Sequence, residues 1–94
     1  MKLKRNENLV ARTIAGQTML VPVGQMAAAF NGMITLNTTA KFIWEHMEEV
    51  STREELTAMM LDAFEVDEET ANSHVNGFLD MLLKTGFAAD TDAK

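Results

Sequence analysis

The stretch from Leu36 to Glu45 separates two kinds of sequence pattern. Before it, apolar residues form short runs broken by glycine, as in β-strands. After it, they recur at the three- and four-residue spacing of helices as far as Gly86. Asn37 or Thr38 supplies a side-chain oxygen suited to capping the first helical turn. The sequence therefore predicts an α+β fold in which a small sheet is followed by a cluster of helices.

The first half of the chain predicts three strands. Leu9–Ile14 and Thr18–Val23 are joined at Ala15-Gly16-Gln17, where glycine suits a tight turn. Phe30-Asn31-Gly32 contains the Asn-Gly pair that favours a two-residue hairpin, and Met33–Leu36 is the predicted third strand. The sheet is predicted to be small and antiparallel.

Five segments around these strands are less regular. Pro22 lacks a backbone donor, so the second strand either lies at a sheet edge or ends there. Residues 26–29 allow either a strand or a short helical turn. Residues 1–7 are polar and predicted to be loose, and the tail from Asp90 is predicted to be frayed. Phe87-Ala88 either forms a last short strand or packs onto the core.

Three helices follow, which gives a winged-helix-like order. The first runs from about Thr38 to Glu49 and is expected to place Trp44, the only tryptophan, at the centre of the core. Ser51 and Glu54 match a capping box for the second helix. The third helix begins at a cap and ends at a glycine. The predicted cap is Asp67 and the predicted stop is Gly86. Between them, the apolar stripe consists of Ala71, Val75, Phe78 and Leu82, flanked by Leu79 and Leu83.

Composition narrows the class of protein. With 94 residues, we expect one domain over residues 1–94 with an ordered core at about 8–88. The absence of cysteine excludes disulfides and thiolate chemistry. No stretch is long and apolar enough to cross a membrane, so no membrane partner and a cytoplasmic location are expected.

Catalytic and metal sites find little support in the sequence. His46 and His74 are the only histidines, and they form a metal pair only if the fold brings them together. Surface positions are the simpler interpretation for both. Asp67-Glu68-Glu69 suits the positive end of a helix dipole better than acid–base catalysis. No nucleotide-binding or hydrolytic motif is present. We therefore expect no enzyme activity, no metal and no cofactor.

The chain resembles the coenzyme PQQ synthesis protein D (PqqD) family over nearly its whole length, from about Leu9 to Ala88. The matching pieces are Leu20-Val21-Pro22-Val23-Gly24, Phe30-Asn31-Gly32-Met33-Ile34-Thr35-Leu36-Asn37, Thr39-Ala40, Phe42-Ile43-Trp44-Glu45, Val66-Asp67-Glu68-Glu69, Val75, Phe78-Leu79, Leu82 and Gly86. Two departures are Thr38, where relatives usually carry glutamate, and His74, where they tend to carry aspartate.

The resemblance implies a non-catalytic peptide chaperone, a RiPP recognition element. Such proteins bind the leader of a ribosomally synthesised precursor peptide and present it to a radical SAM maturase, in PQQ biosynthesis or a related pathway. In the family the leader pairs with the third strand and lies against the third helix. Carried over by position, the strand residues are Met33, Ile34, Thr35 and Leu36.

The residues themselves are compatible with that role. An exposed strand edge offers unpaired backbone groups to an extended peptide. At about 100° per residue, His74, Phe78 and Met81 lie on one flank of the third helix and form a candidate wall beside the peptide. For Phe78 a place in the core stripe is the simpler interpretation, whereas Met81 fits core and groove equally. The same exposed edge also permits a homodimer.

A DNA-binding winged helix, acting as a transcription regulator, is the alternative. The third helix would then serve as a recognition helix. Charge argues against it: the formal net charge is −6, and five of the eight lysines and arginines precede Phe42. Between Asp62 and Thr85 the only lysine or arginine is Lys84. A phosphate backbone is repelled by such a surface, so no nucleic-acid partner is expected.

Overall fold

The computed structural model describes residues 1–29 and 32–92, apart from the side chain of residue 29. Five strands and four helices are found in these ranges. In chain order they are β1 (Leu3–Arg5), β2 (Leu9–Ile14), β3 (Gln17–Pro22), α1 (Gly24–Ala29), β4 (Ile34–Leu36), α2 (Thr38–His46), α3 (Arg53–Ala63), α4 (Glu68–Thr85) and β5 (Ala88–Asp90).

The predicted antiparallel sheet is confirmed as three strands in the order β2-β3-β4. Ala15 and Gly16 form its two-residue turn with φ of 53° and 81°, the left-handed pair of a type I′ hairpin. Pro22 is the last residue of the central strand, so the strand ends there rather than lying at an edge. The Asn-Gly turn remains a prediction because Phe30 and Asn31 lie outside the described residues.

The prediction of loose residues 1–7 is wrong, and so is the prediction of a frayed tail for residues 90–92; residues 93 and 94 lie outside the described residues. β1 pairs antiparallel with β5, with Leu3 opposite Asp90. Leu3 is 3% exposed, and Thr91 N–H donates to the Lys2 carbonyl at 2.8 Å. A strand of three residues whose partner lies at the other end of the chain leaves no local periodicity in the sequence, which explains the error.

Arg5 anchors this terminal sheet to the helices. Its guanidinium donates to the Trp44 carbonyl at 3.1 Å and to Glu48 Oε1 at 3.0 Å. Its backbone N–H donates to Glu48 Oε2 at 2.8 Å, and this bond, together with the guanidinium beside the same carboxylate, holds the pKa of Glu48 below its ordinary value. The guanidinium also lies 5.7 Å from the Trp44 ring centroid. Trp44 is buried as predicted, but it lies where the core meets the N-terminal strand.

The helix limits follow their caps. Asn37 caps α2, Asp67 caps α4, and Gly86 ends α4 with a φ of 82°. α2 ends at His46, short of the predicted Glu49. The predicted N-cap of α3, Ser51, is off by one residue, because two overlapping capping-box patterns, Ser51–Glu54 and Thr52–Glu55, fit the same sequence. The box that forms pairs Thr52 with Glu55, whose N–H donates to Thr52 Oγ1 at 3.1 Å.

The segment at 26–29 is helical, as part of α1, which settles the open choice there. The fold is therefore α+β and winged-helix-like with four helices rather than three. The core lies between α2, α3, α4 and the inner face of the sheet. Its fully buried larger side chains are Leu20, Ile43, Met47, Leu56, Met60, Val75, Leu79 and Leu82. In the part of the chain that is described, no helix is long and apolar enough to span a membrane.

Candidate peptide-binding site

β4 is an outer strand of the three-stranded sheet. It pairs with β3 on one side, and no described strand pairs with its other side. Its side chains alternate as expected for one buried face: Leu36 is buried, Ile34 is half-buried and Thr35 is exposed. Met33 precedes the strand and is 60% exposed. The predicted third strand is thus confirmed from Ile34 to Leu36.

The hairpin turn fixes which residues of β3 face β4. In an antiparallel ladder each residue directs both backbone groups to one side, and neighbouring residues alternate. A two-residue turn makes its flanking pair, Ile14 and Gln17, a hydrogen-bonded pair. Thr18 is the next residue and faces β4. The Thr13 and Thr18 hydroxyls lie 3.0 Å apart, as expected where the side chains of a non-hydrogen-bonded pair come close.

The same alternation identifies the free backbone groups of β4. Leu36 lies opposite Thr18 and Ile34 lies opposite Leu20, so both residues direct their backbone groups to β3. Thr35 lies between them and directs its N–H and C=O to the open edge. This edge is the one place on β4 where an added strand can pair with an intact ladder.

A cleft of about 280 Å³ lies between the start of α2 and α4. Asn37 lines it and is the residue that follows β4, so the cleft adjoins the C-terminal end of that strand. Among the residues that the structure describes, no charged side chain lines it; these walls are apolar except for neutral polar groups and one histidine. The lining residues are Asn37, Thr39, Ala40, Ile43, Ser73, His74, Gly77, Phe78 and Met81.

A chain of hydrogen bonds joins the two walls of the cleft. His74 Nδ1 lies 3.1 Å from Thr39 Oγ1. Thr39 Oγ1 in turn lies 3.1 Å from Asn37 Oδ1, which also accepts the Ala40 N–H at 2.9 Å. The helix cap of α2 and the side chain of His74 on α4 therefore form one network.

Phe78 lies at the edge of the core stripe that was predicted from the sequence, packed against the buried core. Leu79 is fully buried, whereas Phe78 is half-buried and lines the cleft with Met81 and His74. Positions 75, 79 and 82 of α4 face the core. Positions 74, 78 and 81 each precede one of these by one residue, so they form the neighbouring face of the helix. The three predicted wall residues are thus on one surface, although their contact with a peptide remains a prediction.

Sequence reasoning missed the opposite wall and the floor of the cleft. Thr39 and Ala40 belong to the first turn of α2, whose relation to α4 is set by tertiary packing. Gly77 carried a usable signal, since a glycine within a long helix often marks close approach or open space. A Cβ at Gly77 would meet no atom within 4 Å, so there is open space beside this residue where it lines the cleft.

The Nδ1 atoms of His46 and His74 are hydrogen-bonded to different residues and are not paired with each other. His46 Nδ1 lies 3.0 Å from Glu49 Oε2, while His74 bonds to Thr39. Within residues 1–29 and 32–92, no group of three or more histidine, aspartate or glutamate side chains is arranged to hold a metal ion. The carboxylate of Asp67 serves as a cap, and its bonds to Thr70 lower its pKa.

Comparison with known proteins places this arrangement in a family. The profile described as "Coenzyme PQQ synthesis protein D (PqqD)" matches residues 16–88. Two solved structures share the fold. One, "TbiB1 in Complex with the TbiA(beta) Leader Peptide", has a TM-score of 0.69 at 20% identity and covers 100% of both chains. The other, "Lasso peptide synthetase B1 complexed with the leader peptide", has a TM-score of 0.75 at 13% identity and covers 96% of this chain and 100% of that chain. No curated protein matches.

Proposed function

Because this chain belongs to the coenzyme PQQ synthesis protein D family, we propose that it is a RiPP recognition element, a non-catalytic module that binds the leader of a precursor peptide. The observation that carries the proposal is the juxtaposition of the open β4 edge at Thr35 with the cleft on α4. An extended peptide on this edge adds a strand to the sheet.

Backbone pairing contributes affinity for any extended leader, and the side-chain cleft contributes selectivity. The N–H and C=O of Thr35 bond to the leader without regard to its sequence. Alternate leader side chains point towards the protein, and the cleft lined by Phe78 and Met81 buries an apolar one. Since a flexible leader becomes ordered on binding, we expect an affinity near the micromolar range.

Two proteins of the same fold support this assignment. Each was solved with a leader peptide bound, as their descriptions state. The fold as a whole is therefore compatible with accepting a leader. For this chain, the leader site comprises Met33, Ile34, Thr35 and Leu36 on one side and His74, Phe78 and Met81 on the other.

We further propose that the bound leader is presented to a radical SAM maturase, in PQQ biosynthesis or a related pathway. Family membership supports this partner. The cleft supports a binding role more than a catalytic one, because His74 is the one titratable side chain among its described lining residues, and the hydroxyl beside it, that of Thr39, is also bonded to the Asn37 cap. Holding the leader leaves the rest of the precursor free for modification by the partner enzyme.

Leader binding is tested with synthetic leaders of the precursor peptides encoded beside this protein's gene. Fluorescence anisotropy should give saturable binding in the micromolar range, and scrambled leaders of the same composition should bind at least about tenfold more weakly. Random duplex DNA at low salt is the second comparison. Binding to the duplex with a steep salt dependence, and none to the leaders, would replace the proposal with the DNA-binding alternative.

A further inference from the structure

The hydrogen-bond network at the cleft determines the tautomer of His74. The Thr39 hydroxyl has one hydrogen and lies between two acceptor-capable atoms, Asn37 Oδ1 and His74 Nδ1. Asn37 Oδ1 is an oxygen because it accepts the Ala40 N–H. If Thr39 donated to His74, two oxygens 3.1 Å apart would face each other with no hydrogen between them.

The arrangement that satisfies every partner places a hydrogen on Nδ1. His74 then donates to Thr39, and Thr39 donates to Asn37. In a neutral imidazole the second nitrogen, Nε2, is consequently an acceptor. Nε2 makes no hydrogen bond with any residue in the described part of the chain, so its lone pair is available to a ligand.

Nε2 belongs to a ring that lines the cleft, whose described lining residues carry no charged side chain. Phe78 and Met81 on α4 and Ala40 on α2 supply apolar surface to the same cleft, and the fully buried Ile43 lies beneath it. A largely apolar surface that carries an available acceptor is complementary to a side chain with an apolar body and a terminal O–H or N–H. A purely apolar side chain would leave that acceptor without a partner.

We propose that His74 is a specificity-determining residue, which selects a leader side chain carrying a hydrogen-bond donor at the end of an apolar body. This inference rests on the proposed function, since it concerns the leader residue that enters the cleft. Thr39 is a positioning residue: it acts through His74 by fixing the tautomer.

The tautomer is tested first, in the whole protein labelled with ¹⁵N histidine. Long-range ¹H–¹⁵N spectra, recorded where the ring is neutral, should place Nδ1 of His74 in the protonated region and Nε2 in the unprotonated region. His46 provides an internal comparison. Thr39→Val removes the acceptor of the network and should shift His74 towards the Nε2–H form. A dominant Nε2–H form in the unaltered protein would overturn the inference.

Selectivity is tested with N-acetyl-tyrosinamide and N-acetyl-phenylalaninamide, which differ by one hydroxyl. Amide shifts of α4 should show both probes in the cleft, with the tyrosine probe binding about fivefold tighter, the effect of one neutral hydrogen bond. His74→Asn keeps a donor near Thr39 but lacks Nε2, so it should equalise the two affinities. His74→Gln places an amide near the Nε2 position and should retain part of the preference.

These outcomes separate the inference from the proposed function. Equal affinities in the unaltered protein, a preference that survives His74→Asn, or no shift on α4 with either probe would each refute donor selection. Substitution of Thr35 by proline tests the strand edge instead and should leave probe binding unchanged. Loss of leader binding in that variant, with no probe preference, would retain the proposed function and reject the role of His74.

Discussion

The three-stranded sheet has two outer strands, β2 and β4, and they differ in what lies beside them. β2 has six residues and the longer edge, whereas β4 has three. By the alternation that exposes Thr35 on β4, Leu9, Ala11 and Thr13 direct their backbone groups outward from β2. The Leu9 N–H is already bonded to the Asn6 carbonyl at 3.1 Å. Part of the β2 edge is therefore occupied by its own chain.

The surfaces next to the two strands differ further. The groove beside β2 is lined by Trp44 and by Arg5 and Glu48, which are paired with each other. In the cleft beside β4 the described lining residues are uncharged, and there is open space beside Gly77. Free backbone groups exist at both edges, so they alone do not define a peptide site. The neighbouring apolar wall is what distinguishes β4.

The largest expected effect comes from proline at each edge. Thr35→Pro removes the outward N–H of β4 but no bond to β3, and leader affinity should fall about a hundredfold through lost pairing and steric obstruction. Ala11→Pro is the matched variant on β2 and should leave affinity within about twofold. Anisotropy titrations of both variants measure this. Equal losses, or a larger loss for Ala11→Pro, would show that β4 is not the binding edge.

The wall of the cleft should have the next largest effect. Phe78→Ala removes a half-buried aromatic side chain from the cleft, and leader affinity should fall about tenfold. Phe64→Ala is the control, because Phe64 is also half-buried but packs edge-to-face on Phe42, with ring centroids 5.3 Å apart. It should reduce the free energy of unfolding and leave affinity unchanged. A loss of affinity in the control alone would reverse the assignment of the wall.

Gly77 allows stability and binding to be separated on one helix. Gly77→Ala should raise the free energy of unfolding by about 0.5–1 kcal/mol, since alanine is the better helix former. Its Cβ meets no atom within 4 Å, so the fold accommodates it. The narrower cleft should lower leader affinity by about two- to threefold. Urea denaturation measures the stability and anisotropy measures the affinity. Improved stability with tighter leader binding would contradict the proposal that a leader side chain needs the space beside Gly77.

The smallest effect is expected beside β2. Glu48→Gln should lower the free energy of unfolding by less than about 1 kcal/mol, because the ion pair with Arg5 is about one-third exposed and partly screened. The folded-state pKa of Glu48 lies below the ordinary value of 4.5. The difference in free energy of unfolding between the variant and the unaltered protein should therefore reach its maximum well above pH 4.5. It should shrink as the pH falls through the lowered pKa.

Unfolding curves at several pH values measure that dependence. Leader affinity near neutral pH should be the same in Glu48→Gln and in the unaltered protein. A clear loss of affinity would place a binding contact on the β2 side and weaken the contrast between the two edges.

Local pattern was enough to predict the hairpin at Ala15-Gly16, the strand at 34–36 and the capped starts of α2 and α4, because their determinants lie within a few residues. It failed for β1, which is defined by its pairing with β5 and by the bonds from Arg5 to Glu48. The determinants of these features are separated by more than 40 positions along the chain.

The candidate site shows the same division. The phase of α4 predicted His74, Phe78 and Met81 as one surface, although core and groove remained alternatives for Phe78. The contribution of Thr39 required the packing of α2 against α4. The outward direction of the Thr35 backbone required the sheet register together with the turn type. Local periodicity thus predicts faces, whereas the contacts between faces require tertiary structure.

The most direct test of the account is an NMR titration of the uniformly ¹⁵N-labelled protein with a cognate leader. We expect the amide of Thr35, its neighbours at 33–36 and residues 74–85 to shift together, with slowed hydrogen exchange at Thr35. Residues 9–14 should remain unchanged. Shifts confined to 9–14, or a Thr35 amide that exchanges at the same rate in the free and bound protein, would contradict strand addition at β4.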